Sequence, residues 1–156
     1  MKITEILNEN VVQTNLGGST KEEIINAMIE LAATSERVVD KERMRASIFE
    51  REKIMSTGVG SGFAIPHGKT DAVNDIVAAF AITAQPIDYQ SLDDQPVRLV
   101  FLLVGRDNMV GPHIKLLSRI SRLMNKEEFR KKLLEARTPV EVLQVFRQEE
   151  ATYSEA

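Results

Sequence analysis

Val97-Arg98-Leu99-Val100-Phe101-Leu102-Leu103-Val104 is an eight-residue run with one polar member, entered through Pro96. An unbroken apolar run of this length and β-branched content reads as a strand covered on both faces, because a strand with one wet face would alternate apolar and polar residues. Ile76 to Thr83 repeats the pattern after Asn74 and Asp75. Phe63-Ala64-Ile65 is a third, shorter apolar stretch between Gly62 and Pro66. Covering the central strands on both faces requires helices, and the sequence supplies their start signals. Thr20 and Glu23 form a capping box ahead of Ile24, Met28, Leu31 and Ala32, which predicts a helix to about Thr34. Asp40 caps a second helix bearing Met44 and Ile48 and ending near Lys53. Pro112 suits the first turn of a third, whose buried side is Ile114, Leu117, Ile120, Ser121 and Met124. Asn125 to Glu128 and Thr138 to Glu141 introduce two more. The expected fold is one α/β domain over residues 1–148, a mixed sheet of about five strands flanked by helices on both faces. Residues 149–156 read as a polar, frayed C-terminal tail.

Composition narrows the chemistry. The 156 residues contain no cysteine, which excludes disulfides, thiol catalysis and thiolate metal sites, and agrees with a cytoplasmic setting. No apolar run approaches the length of a membrane helix, so no direct membrane insertion is expected. Net charge is −3, but residues 106–137 carry nine basic and four acidic side chains, net +5 against −8 elsewhere. With no Trp and 5% aromatics this reads as a solvated helical face, and no nucleic-acid partner is expected.

Only two histidines are present, His67 and His113. His67 ends the stretch Ser56-Thr57-Gly58-Val59-Gly60-Ser61-Gly62-Phe63-Ala64-Ile65-Pro66-His67-Gly68, in which a glycine-rich loop, a short strand and a proline deliver an imidazole into a turn. Gly68-Lys69-Thr70 is not the end of a P-loop, because five residues separate Gly62 from Gly68 where the motif needs four. Nor is the glycine run a dinucleotide fingerprint, since a strand follows it. Two histidines without close ligand spacing do not make a metal site. A hydrolase with His67 as general base lacks a convincing nucleophile, since Ser56 and Ser61 have no nucleophile-elbow context. Histidine as a transient nucleophile remains, and phosphoryl transfer suits it. Loop N–H groups are expected to cradle the equatorial oxygens, His113 at a helix start to add a donor, and an arginine to complete the site.

Arg51-Glu52, the Ser56–Gly62 loop, Ala64-Ile65-Pro66-His67-Gly68, and His113 followed by Leu116 and Leu117 together resemble the IIA component of the bacterial sugar phosphotransferase system. The class is that of fructose and mannitol, which includes a nitrogen-regulatory paralogue, and the resemblance runs from about Lys2 to Arg147. It implies that His67 accepts phosphate on Nε2 from the phosphocarrier HPr or a paralogue. It implies further that His113 and Arg51 stabilise the phosphoryl group, with Thr57, Gly58 and Gly68 as backbone contributors. No metal or cofactor is implied, because donor and acceptor are both histidines. The protein would be a relay component and not a free-standing metabolic enzyme. Two roles fit: a nitrogen-type regulator whose phosphorylation state controls partner proteins, or a sugar-transport IIA passing phosphate to a separate IIB component.

Overall fold

The computed structural model describes residues 1–154. In chain order the elements are α1 (Ile3–Ile6), a 3-10 turn (Glu9–Val11), β1 (Val12–Leu16), α2 (Lys21–Ala32), α3 (Lys41–Ile54), β2 (Gly58–Gly60), β3 (Phe63–Ala64) and β4 (His67–Lys69). There follow β5 (Val77–Ile87), β6 (Val97–Gly105), α4 (Val110–Met124), α5 (Glu127–Glu135) and α6 (Pro139–Ser154). The strands form one mixed sheet in the order β1-β5-β6-β3-β2, with β4 also paired to β6. The fold is the expected α/β class with one strand more than expected.

The sheet is built around β5 and β6, which are antiparallel from Val77 opposite Val104 to Ile82 opposite Leu99. Every residue from Val77 to Thr83 is buried. Since successive side chains of a strand point to opposite faces, this requires cover on both sides. Phe146 of α6 supplies part of that cover, its ring edge-on to Phe80 at 5.2 Å and to Phe129 of α5 at 5.3 Å. Helix α2 covers β5 and β6 through an apolar stripe of Ile24, Ile25, Met28 and Ile29. Its cap is as expected: Thr20 accepts from the N–H of Glu23, while Glu23 reaches back to the N–H of Ser19. Asp40 caps α3 by accepting from the N–H of Arg43. Arg137 and Thr138 exchange contacts with Glu141 at the start of α6.

Four local expectations change, the first on α4, whose buried face runs through His113, Leu116, Ile120 and Leu123, so that Ile114 is 59% exposed and not on the buried side. The glycine-rich stretch is a hairpin, β2–β3, turning at Ser61 (φ 57°) and Gly62 (φ 83°), because consecutive positive φ values suit a tight two-residue turn. Asn125 is the C-cap of α4, and Lys126 precedes α5 without a side-chain cap; with α4 still helical at Met124, Asn125 retains αR backbone. Lastly, α6 continues to Ser154, so the polar tail is helical as far as it is described, and residues 155–156 lie outside the described part. Its anchor is Glu150, 3% exposed, whose carboxylate accepts the N–H groups of Ile3 (2.6 Å) and Thr4 (2.9 Å) and lies 3.5 Å from Arg119. A carboxylate at the N-terminus of α1 is stabilised by donors that the short helix leaves unsatisfied.

Candidate functional site

The sheet is interrupted where the histidine sits. β3 pairs in parallel with β6 at Leu99 and Val100, and β4 pairs with β6 from Leu103 to Gly105. The two therefore occupy one strand position, broken at Ile65 and Pro66. Pro66 has no N–H to give the ladder, but its carbonyl accepts from Leu103 at 3.1 Å and pairing resumes at His67. His67 is thus the first residue of a strand and not a turn residue.

At that break the carbonyl of Ile65 lies 2.8 Å from Nδ1 of His67. A carbonyl oxygen only accepts, so Nδ1 carries the proton and Nε2 keeps its lone pair. The ring is half-buried. Desolvation pulls its pKa below the ordinary value, the Ile65 hydrogen bond opposes this, the charges of Arg51 and Lys69 lower it, and Glu52 raises it. The net effect is a neutral imidazole with one free nitrogen at neutral pH.

His113, in the first turn of α4, is brought to 5.9 Å from His67 between ring centroids, tilted by 47°. It is 3% exposed, and neither ring nitrogen has a hydrogen-bond partner among the described residues. Burial, then the neighbouring His67 and Lys69, push its pKa down to about 4. Gly105 makes room for it: a Cβ there would sit 3.0 Å from Nδ1 of His113. Helix α4 begins at Val110, two residues before Pro112, and Met109 provides no side-chain cap. Its first N–H groups are therefore not met by a capping side chain.

Arg51 reaches the same recess from the last turn of α3 and donates from Nη1 to the carbonyl of Met55 at 2.9 Å. Gly68 allows α3 to approach β4, because a Cβ at this position would lie 2.7 Å from Oγ of Ser47. That hydroxyl donates to the carbonyl of Lys69 at 3.1 Å. The recess measures about 510 Å³ and has Ile54, Ile114 and Leu117 among its apolar walls, with Glu50 and Asp107 as its acidic members.

Thr57 and Gly58 are not brought to this recess. The N–H of Thr57 is held by Glu52 at 2.8 Å and that of Gly58 by Oγ of Ser56 at 3.1 Å. Gly58 is a glycine for packing, since a Cβ would lie 2.5 Å from Oγ of Ser91 and 2.8 Å from Cδ1 of Tyr89. In place of the loop amides the recess has Lys69, which sequence reasoning missed. Strand alternation puts Lys69 on the side of β4 that carries His67, a signal hidden by reading His67 as a turn residue. A larger recess of about 740 Å³, bordered by Thr20, Lys21 and Glu52, contains no histidine. Among the described residues, no group of three or more His, Cys, Asp or Glu is placed to hold a metal, and no helix is long and apolar enough to cross a membrane.

Comparison with known proteins identifies the family. The family profile for the phosphoenolpyruvate-dependent sugar phosphotransferase system, EIIA 2, matches residues 5–149. A fructose-specific EIIA component of Haloferax volcanii is 41% identical over 118 residues, 76% of this chain and 77% of that protein. A nitrogen regulatory protein of Bradyrhizobium diazoefficiens is 36% identical over 141 residues, 88% and 89% of the two chains. The fructose-specific EIIABC component of Bacillus subtilis is 36% identical across 95% of this chain, which spans only 23% of that protein. Among solved structures, the nitrogen regulatory protein IIA-Ntr of Neisseria meningitidis superposes with a TM-score of 0.87 at 28% identity, over 92% of this chain and 98% of that one. The chain belongs to the EIIA type 2 family of the phosphoenolpyruvate-dependent sugar phosphotransferase system.

Proposed function

We propose that this protein carries a phosphoryl group on Nε2 of His67, received from a phosphohistidine of HPr or a paralogous carrier. The observation that supports this most directly is the Ile65 carbonyl on Nδ1, which leaves Nε2 as the one nucleophilic nitrogen of the ring. In the transfer, the Nε2 lone pair attacks phosphorus in line while the donor's N–P bond breaks and its electron pair returns to the donor imidazole. The Nδ1 proton stays where it is, and no metal is needed to balance the step. Arg51 and Lys69 offset the charge on the equatorial oxygens, and the N-terminus of α4 adds a favourable dipole. Buried and neutral, His113 donates one N–H to the phosphoryl oxygens, which gives a polar partner to a ring that has none among the described residues. Gly68 acts by permitting the approach of α3, and no role as donors is assigned to Thr57 and Gly58.

The downstream step has two readings. Nitrogen-regulatory relatives are matched over nearly their whole length, which favours a regulator that binds other proteins according to its phosphorylation state. The 41% identity to a fructose-specific EIIA favours relay to a IIB component, and a mannitol IIA–IIB complex at 23% identity shares the fold. Incubation with the phosphorylated carrier tests the first step: wild type gains acid-labile phosphohistidine and His67→Ala gains none. Equal labelling of the two would overturn the assignment. Efficient onward transfer to a sugar-specific IIB would decide for relay over pure regulation.

A further inference from the structure

Next to Arg51 on α3 and bordering the larger recess, Glu52 is 9% exposed and its carboxylate has several partners. Oε2 accepts from the N–H of Thr57 (2.8 Å) and from Nζ of Lys21 (2.9 Å), while Oε1 accepts from Oγ1 of Thr57 (2.5 Å). The Tyr89 hydroxyl lies 3.0 Å from Oγ1 of Thr57 and 3.4 Å from Oε1, and Lys21 stands 4.8 Å over the Tyr89 ring. Burying a charged pair stabilises a fold little relative to apolar packing of equal volume. What the carboxylate does that an apolar side chain would not is grip both donors of Thr57. The carbonyl of Thr57 then accepts from the N–H of Ile65 at 2.9 Å, and the carbonyl of Ile65 accepts from Nδ1 of His67. The same grip fixes the segment whose Met55 carbonyl holds Arg51.

We propose that Glu52 is a positioning residue for phosphoryl transfer, holding Thr57 so that the Ile65 carbonyl keeps His67 in the Nδ1–H tautomer with Nε2 aimed into the recess. The inference deepens the phosphoryl-carrier reading and rests on it for its catalytic meaning, but the tautomer itself is measured without any phosphoryl donor. Failure of His67 to label and failure of Glu52 to position it are therefore separate results.

The test is ¹⁵N NMR of the histidine rings together with steady-state transfer from the phosphorylated carrier, in wild type, Glu52→Gln and Lys21→Gln. In Glu52→Gln the population of the Nε2–H tautomer of His67 is expected to rise about threefold or more, because the carbonyl that selects against it is no longer held in place. The value of kcat is expected to fall roughly tenfold to a hundredfold with KM within about twofold, since misplacement acts on the reacting geometry. Lys21→Gln leaves both Thr57 contacts in place, so it is expected to lower the melting temperature while keeping the wild-type tautomer ratio. A wild-type tautomer ratio in Glu52→Gln overturns the proposal, as does an equal shift in Lys21→Gln, which would mean general loosening. Should Glu52→Gln not fold, Thr57→Val removes one of the two contacts: a smaller shift in the same direction supports the proposal, and no shift overturns it.

Discussion

The β2–β3 hairpin and the recess around His67 lie close together in sequence, and both depend on glycine, but for different reasons. In the hairpin, Gly60 and Gly62 take positive φ values that other residues rarely adopt, and Gly58 leaves space for Tyr89 and Ser91. In the recess, Gly68 and Gly105 leave space for Ser47 and His113, which brings α3 and α4 to the imidazole. The first set shapes the backbone and the second sets the distance between functional groups. A glycine-rich loop before a histidine is thus no proof of a backbone cradle: the amides of Thr57 and Gly58 are already occupied.

The largest effect expected is from His67→Ala, which abolishes phosphohistidine formation and leaves the fold intact, as read by labelling alongside circular dichroism. Gly68→Ala would come next. Its Cβ, 2.7 Å from Oγ of Ser47, pushes α3 away from β4 and is expected to reduce transfer about 10²-fold, with overpacking costing about 1–3 kcal/mol in denaturant unfolding. A normal transfer rate in that variant would break the contrast between the two glycine sets.

The recess should also be the acid-sensitive part of the molecule. Unfolded histidine titrates near 6.5, whereas His113 in the fold takes a proton only near 4. Below 6.5 the unfolded state binds more protons, so stability present above that pH is lost as the pH falls from 6.5 to 4, by about 2–3 kcal/mol for this group. In His113→Gln the slope of stability against pH in that window should flatten; an unchanged slope would show that His113 is not held neutral. The smallest functional effect is expected for Gly60→Ala. At φ 133° an alanine is strained by about 1–3 kcal/mol, so unfolding should come earlier while transfer by the folded protein stays within about twofold of wild type. A large loss of transfer there would sharpen the picture in the other direction, tying the hairpin tip to the site.

Much of the architecture was legible in the chain because it depends on local signals. Continuous apolar runs marked β5 and β6, and the capping residues Thr20, Asp40 and Thr138 marked three helices within a residue or two. Three features that were missed depended on partners distant in sequence. Three-residue β4 is a strand only through its pairing with β6, so periodicity had nothing to detect. The C-terminal end of α6 read as polar because Glu150 counts as a surface residue until the N–H groups of α1, 146 and 147 residues away, bury it. Glu52 was quoted beside Arg51 without a role for the same reason: its partners Lys21 and Tyr89 come from α2 and from the segment after β5.

By itself, the sequence marked most of the helices and the buried strand pair and narrowed the candidate nucleophile to a histidine, since two histidines and no cysteine leave few groups that react at neutral pH. Tertiary structure alone decided which nitrogen of His67 is free, that His113 is buried beside it, and that Lys69 and not the glycine loop faces the site. The physical reason is that propensity and capping act over a turn or two of chain. Tautomer, desolvation and charge proximity are set by atoms within a few ångströms, and here α3, β4 and α4 bring those atoms from three separate parts of the chain.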